Sequence, residues 1–218
     1  MTRRPSERRC PLTDTTLTGA GAHTGHAPAH PPTNTGVSNA KLGMWLFLGS
    51  ECLLFGGLIS TYLLYRGRVA GGPAPRQIFD IPFTSVSSFI LLMSSLTMVL
   101  AVSSITRGDM PRARTWLVTT ALLGACFVGG QVYEFTVFYR EGLGFTTNLF
   151  GSSFYTLTGF HGVHVTVGII MLLSLYMMTL RGTIHQGKAE TVEIVGLYWH
   201  FVDIVWIVIF TVVYLIPA

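Results

Sequence analysis

GSSFYTLTGFHGVHVTVGIIMLLSLYMMTL, residues 151–180, decides the fold. From Ser152 to Leu180 it contains no Asp, Glu, Lys or Arg. Crossing the hydrocarbon core of a bilayer takes about 20 apolar residues in a helix, and this run exceeds that. Its apolar residues are continuous rather than alternating, which excludes a strand of a membrane barrel. Four more runs of the same kind flank it, at about 42–65, 83–106, 115–138 and 192–216. The expectation is an all-α integral membrane bundle of five transmembrane helices occupying residues 41–218, preceded by a polar tail over 1–40.

The composition agrees. Hydrophobic residues make up 50% of the chain and charged ones 11%, about half the charged share of a soluble domain. The net charge of +4 is spread out; no basic patch speaks for a nucleic-acid partner. Cys52 and Cys126 lie inside apolar runs, where a small thiol is an ordinary occupant, and Cys10 lies in the tail, so no disulfide framework is expected. Arg3, Arg4, Arg8 and Arg9 are followed by no apolar stretch of the secretory-signal type. Residues 1–40 are rich in Thr, Gly, Pro, Ala and His. Such a segment buries too little apolar surface to offset its ordering entropy, so it reads as a disordered tail. His23, His26 and His30 within it form either a weak metal chelator or an incidental cluster.

Gly71-Gly72-Pro73, Gly108-Asp109-Met110-Pro111, Gly142 with Gly144, and Gly182 with the polar run His185 to Glu190 punctuate the runs. Connections this short predict antiparallel neighbours in chain order. With the N-terminus cytoplasmic and the C-terminus outside, ten Lys and Arg residues fall inside (Arg3, Arg4, Arg8, Arg9, Lys41, Arg107, Arg112, Arg114, Arg181, Lys188) and four outside (Arg66, Arg68, Arg76, Arg140). That is the positive-inside bias. Tyr62, Tyr65, Tyr139, Tyr155 and Tyr214 then fall at the outer ends, and Trp45 and Trp116 at the inner ends, as amphipathic rings prefer.

Six ionisable residues lie within the spans: Glu51, Glu134, His161, His164, His200 and Asp203. Such residues are costly in lipid and face the bundle. His161–x–x–His164 and His200–x–x–Asp203 each share a helix face. Depth at 1.5 Å per residue pairs Asp203 with His164 near the midplane and Glu134 with His161 in the outer half. Glu51 is left to His200 or to hydroxyls. Three readings stay open on the residues alone. They are a metal or haem site, a stand-alone proton-coupled transporter with carboxylate relays, and structural polar pairs that lock helix register.

Five motifs, in order, carry a resemblance. Gly43-Met44-Trp45-Leu46-Phe47 leads to Ser50-Glu51; then come Gln131-Val132-Tyr133-Glu134-Phe135, Gly151-Ser152-Ser153-Phe154-Tyr155, Gly159-Phe160-His161-Gly162-Val163-His164-Val165 and Tyr198-Trp199-His200-Phe201-Val202-Asp203-Ile204-Val205-Trp206. Together, over about residues 41–217, they resemble subunit III of the haem–copper respiratory oxidases. The resemblance implies a bacterial plasma-membrane, multi-pass subunit that packs on oxidase subunit I and also meets subunit II. It implies bound phospholipid, and support of assembly, of proton uptake and of stability during turnover. Haem and copper would reside in the partner subunits, with no catalytic, cofactor or metal residue in this chain. The enzyme implied is an oxygen-reducing, proton-translocating cytochrome c oxidase of aa3 type, with cytochrome c as donor to the complex. A quinol oxidase is the alternative; Glu51 and the order Tyr198-Trp199-His200 resemble the cytochrome c branch more. The mitochondrial form resembles seven helices, and the two that precede the Glu51 helix there have no counterpart here.

Overall fold

The computed structural model describes residues 38–67, 80–184 and 188–216. The tail, with His23, His26 and His30, lies outside the described residues apart from its last positions. Five helices make up the described chain: α1 (Asn39–Tyr65), α2 (Ile81–Thr106), α3 (Met110–Arg140), α4 (Leu149–Leu180) and α5 (Ala189–Phe210). A π-helical turn, Thr211–Leu215, prolongs α5. There is no strand among the described residues. All five helices are long and apolar enough to cross a membrane.

The helices start earlier than the apolar runs, α3 at Met110 rather than at 115. Polar N-caps explain this, since they extend the helix into a hydrophilic first turn. Ser38 accepts from the Lys41 N–H, Asp80 from Phe83, Asp109 from Arg112 and Asn148 from Gly151, the last at 2.6 Å. Pro follows inside α2 and α3 at a position where no backbone donor is needed. The helices stop at glycine: Gly108, Gly142 and Gly182 take φ of 78°, 89° and 70°, a region closed to most side chains.

α2, α3, α4 and α5 close into a four-helix ring in which each packs on the next and α5 returns to α2. α1 lies outside the ring, on α4 and α5. The expectation of chain-order neighbours therefore fails for α1 and α2. Three residues separate α2 from α3, but fifteen separate α1 from α2. At up to about 3.5 Å per residue, fifteen residues can carry the chain across the end of the bundle.

The ring is packed by large side chains against small ones. Trp199 of α5 is buried with its indole between Gly124 of α3 and Gly168 of α4: a Cβ at Gly124 would come 2.5 Å from Trp199 Cη2, and one at Gly168 2.8 Å from Cε3. Gly196 likewise lets α5 approach Met98 of α2. In lipid, close approach of backbones and directional contacts hold helices together, because the surrounding tails are as apolar as leucine. The outward face of α1 is correspondingly apolar, with Leu46, Leu53 and Leu64 exposed.

Candidate functional site

Among the described residues, the six ionisable side chains of the spans lie inside an apolar bundle, and each is placed by its helix neighbours. Glu51 projects from α1 toward α4, where its Oε2 lies 3.1 Å from His164 Nε2. The other ring nitrogen, Nδ1, faces the Phe160 carbonyl at 2.7 Å. Both nitrogens of His164 are thereby engaged. Phe55, one turn along α1, sets its ring edge against the same imidazole, with centroids 5.0 Å apart. Tyr198 of α5 donates to the His164 carbonyl at 3.0 Å. This corner joins α1, α4 and α5.

His161, one turn away on α4, is fully buried. Neither of its nitrogens has a hydrogen-bond partner among the described residues. Its ring is enclosed by aromatics instead. Trp206 stacks on it at 4.9 Å and 25°, and Phe127 and Phe55 approach edge-on.

Glu134 of α3 faces α2, and Thr84 donates to its carboxyl at 2.5 Å. Tyr214 also meets that carboxyl, brought there from the π-helical turn at the end of α5. A π turn closes its hydrogen bonds one residue further back than an α turn, as Ile216 does to Thr211. His200 of α5 faces α2, with its Nδ1 2.6 Å from the Ser95 hydroxyl. Asp203, one turn on, is buried, and neither carboxyl oxygen has a hydrogen-bond partner among the described residues.

None of the three pairings inferred from depth survives. Asp203 does not reach His164, because α1 fills the groove beside α4 and Glu51 takes that imidazole. Glu134 does not reach His161, because it points from α3 to α2 while His161 points to α5. Glu51 meets His164 rather than His200, which binds a hydroxyl. Depth gave each residue one coordinate; the pairing depended on a second, the direction around the helix.

Other joints were missed altogether. Trp199 Nε1 donates to Ser94 at 3.0 Å and Trp206 Nε1 to Ser88 at 2.8 Å, so α5 is pinned to α2 by two indoles. Thr97 bonds Thr120, joining α2 to α3, and Gln131 donates to the Thr158 carbonyl, joining α3 to α4. Arg114 donates to the Thr179 carbonyl at 2.7 Å. At the end of the bundle bearing the α1 N-terminus, Lys41 pairs with Glu193 at 2.6 Å and Ser38 bonds Glu190. A signal existed for the α2 joints: Thr84, Ser88, Ser94 and Thr97 give this apolar span four hydroxyls, all of them buried.

The arrangement is one of joints. Among the described residues, no three His, Cys, Asp or Glu side chains cluster as metal ligands would. Residues 23–217 match the family model described as cytochrome c oxidase subunit III. Cytochrome c oxidase subunit 3 of Bacillus sp. strain PS3 is 42% identical over 190 residues, 86% of this chain and 92% of the relative. Cytochrome bo(3) ubiquinol oxidase subunit 3 of Pseudomonas aeruginosa is 41% identical over 201 residues, covering 91% and 95%. Quinol oxidase subunit 3 of Bacillus subtilis is 39% identical over 190 residues, covering 87% and 93%. With a match spanning every helix and relatives of this similarity along nearly their whole length, the chain belongs to the subunit III family of the haem–copper terminal oxidases.

Proposed function

We propose that this chain is the redox-inactive support subunit of a proton-pumping, aa3-type cytochrome c oxidase in a bacterial plasma membrane. One observation carries the supportive role: the polar contacts inside the bundle link its own helices at α1–α4, α2–α3, α2–α5 and α3–α4. Their chemistry is that of a scaffold. On this reading subunit I is the main partner and subunit II the second. Haem and copper lie in those partners, phospholipid binds along the apolar faces, and cytochrome c delivers electrons to the complex elsewhere. The Lys and Arg distribution supports a cytoplasmic N-terminus and an outer C-terminus.

The test is oxygen consumption against time and pH, with and without the chain. Without it, the complex should still reduce oxygen. Its rate should fall at alkaline pH, where protons are scarce, and decay during turnover. Immediate, complete loss at every pH, with subunits I and II assembled and fully metallated, would refute the supportive role.

A quinol-oxidizing complex is the second reading, supported by the relatives named quinol and ubiquinol oxidase subunit 3 at 39% and 41% identity. The copper content of the copurified subunit II separates the two. A dinuclear copper spectrum supports cytochrome c as donor, and its absence supports quinol.

A further inference from the structure

Two buried ionisable side chains, His161 and Asp203, have no hydrogen-bond partner among the described residues. Aromatic rings enclose His161 on its sides. Asp203 is different, because it has a hydroxyl and an imidazole beside it. It stands close to the middle of the span Ala189–Leu215 and is 3% exposed. It shares a face of α5 with His200, one turn away, and that face meets Ser95 of α2, with which the carboxyl makes no hydrogen bond. The same hydroxyl lies 2.6 Å from His200 Nδ1. His200 is half-buried and lines a groove of about 440 Å³ between α2 and α5. Ser103, Thr106 and Glu193 lie along that groove toward the end of the bundle where Lys41 holds Glu193. A groove of this size has room for several waters at about 30 Å³ each.

We propose that Asp203, Ser95 and His200 form a proton-exchange chain linking the middle of the bundle to the α2–α5 groove. The chain has one direction in each state. The chain closes when protonated Asp203 turns its O–H onto Ser95 Oγ, a contact the resting carboxyl does not make; the Ser95 O–H then donates to His200 Nδ1, and the ring hydrogen sits on Nε2. Moving each proton one place leaves Asp203 as a carboxylate, Ser95 again a hydroxyl and the ring hydrogen on Nδ1. One proton passes from Nε2 to water in the groove. The reverse sequence reloads Asp203, and only O–H and N–H bonds change. The elements packed on α5 add few other titratable groups here. α4 contributes His161, enclosed by aromatics, and His164, held by Glu51 of α1; Lys41 of α1 is held by Glu193. On α2 the group facing His200 is the Ser95 hydroxyl. The inference concerns this chain alone and stands whether the donor to its complex is cytochrome c or quinol.

The test is infrared spectroscopy of the full chain in lipid nanodiscs on transfer from H2O to D2O. The protonated-carboxyl band lost in Asp203→Asn identifies the group. In the unaltered chain this band should shift within the mixing time. Ser95→Ala and His200→Gln should slow the shift on the order of 10²-fold, the contribution of a positioned proton-transfer group. Ser95→Thr, which keeps the hydroxyl, should preserve the rate. If Ser95→Ala does not assemble, the comparison of His200→Gln with Ser95→Thr decides. Three results would overturn the proposal: no carboxyl band lost in Asp203→Asn, a band that does not exchange in the unaltered chain, or equal exchange rates in all variants.

Discussion

Gly168→Ala adds one methyl group where the structure has no space for it. The new Cβ would lie 2.8 Å from both Cε3 and Cζ3 of Trp199 and 3.4 Å from Tyr198 Cε1. Carbon atoms rest at about 3.5–4.0 Å, so the indole must retreat by about 0.7 Å. It cannot retreat toward α3, because Gly124 already stands against the far edge of the ring. The Nε1–Ser94 hydrogen bond at 3.0 Å holds it along α2 as well. Overpacking of this kind costs about 1–3 kcal/mol, while exchanging Gly for Ala in a helix returns up to about 1 kcal/mol. With the full propensity gain, the expected net loss is therefore about 0–2 kcal/mol, which is about 1–3 kcal/mol relative to the propensity gain alone. Gly129→Ala on α3 is the control, since a Cβ there meets nothing within 4 Å; it isolates the propensity gain. The assay is denaturant titration of the detergent-solubilised chain, with Trp199→Phe as the second arm of a double-mutant cycle. In the Trp199→Phe background the penalty of Gly168→Ala should shrink, because the smaller ring vacates the contact. If Gly168→Ala were as stable as Gly129→Ala, or if the two substitutions were additive, the inserted indole would not be what fixes this interface.

Three further outcomes are expected. Ser94→Ala deprives Trp199 Nε1 of its acceptor and should cost about 0.6 kcal/mol, the average for hydrogen bonds between membrane helices, and no more than about 1.7 kcal/mol, measured by the same titration. Glu51→Gln keeps a hydrogen-bonding group opposite His164 and should leave assembly intact on native gels, whereas Glu51→Leu strands the imidazole and should lower the unfolding midpoint. Replacing both partners, Glu51→Leu with His164→Leu, should recover the stability lost by the single change, because removing a buried polar pair together is far milder than removing one half.

The spans were legible because the bilayer imposes a length and a composition that leave a plain trace in any chain that crosses it. The helix starts were less so. Asp109, Pro111 and Arg112 look like loop residues on a hydropathy scale, yet they are the cap and first turn of α3. The placement of α1 was not legible. Connection length bounds where the next helix can lie without choosing among the allowed places, and fifteen residues allow more than one. The six ionisable residues were identified from their cost in lipid, but their partners depended on which helices touch. Once α2 is known to pack on α3 and α5, its Thr84, Ser95 and Ser88 become the natural partners of Glu134, His200 and Trp206. The π-helical turn had no signal in Thr211-Val212-Val213-Tyr214-Leu215, of which Val213 and Tyr214 are buried.

α1 shows why a carboxylate belongs in such a bundle at all. Its inward residues are Leu48, Phe55 and Tyr62, seven apart, with Leu58 between the last two and Met44 before the first, both partly buried. Glu51 occupies the remaining place in that seam, seven from Met44 and from Leu58. Spacings of four and three alternate along it, the pattern of helices packed along a seam at a shallow angle. An apolar seam of this kind is nearly indifferent to sliding: a shift of seven residues would place Leu48 where Phe55 was and Phe55 where Tyr62 was. In water, exposed apolar ends would oppose the shift, but lipid solvates them as well as protein does. A single polar residue in the seam breaks the degeneracy, because only one register gives it a partner. Here that partner is His164 Nε2, itself fixed by the hydrogen bond of Nδ1 to the Phe160 carbonyl. Lys41 with Glu193 and Ser38 with Glu190 repeat the constraint at one end of α1. The Glu51–His164 pair therefore selects one position of α1 on α4 and α5, and its worth lies in specificity more than in net stability.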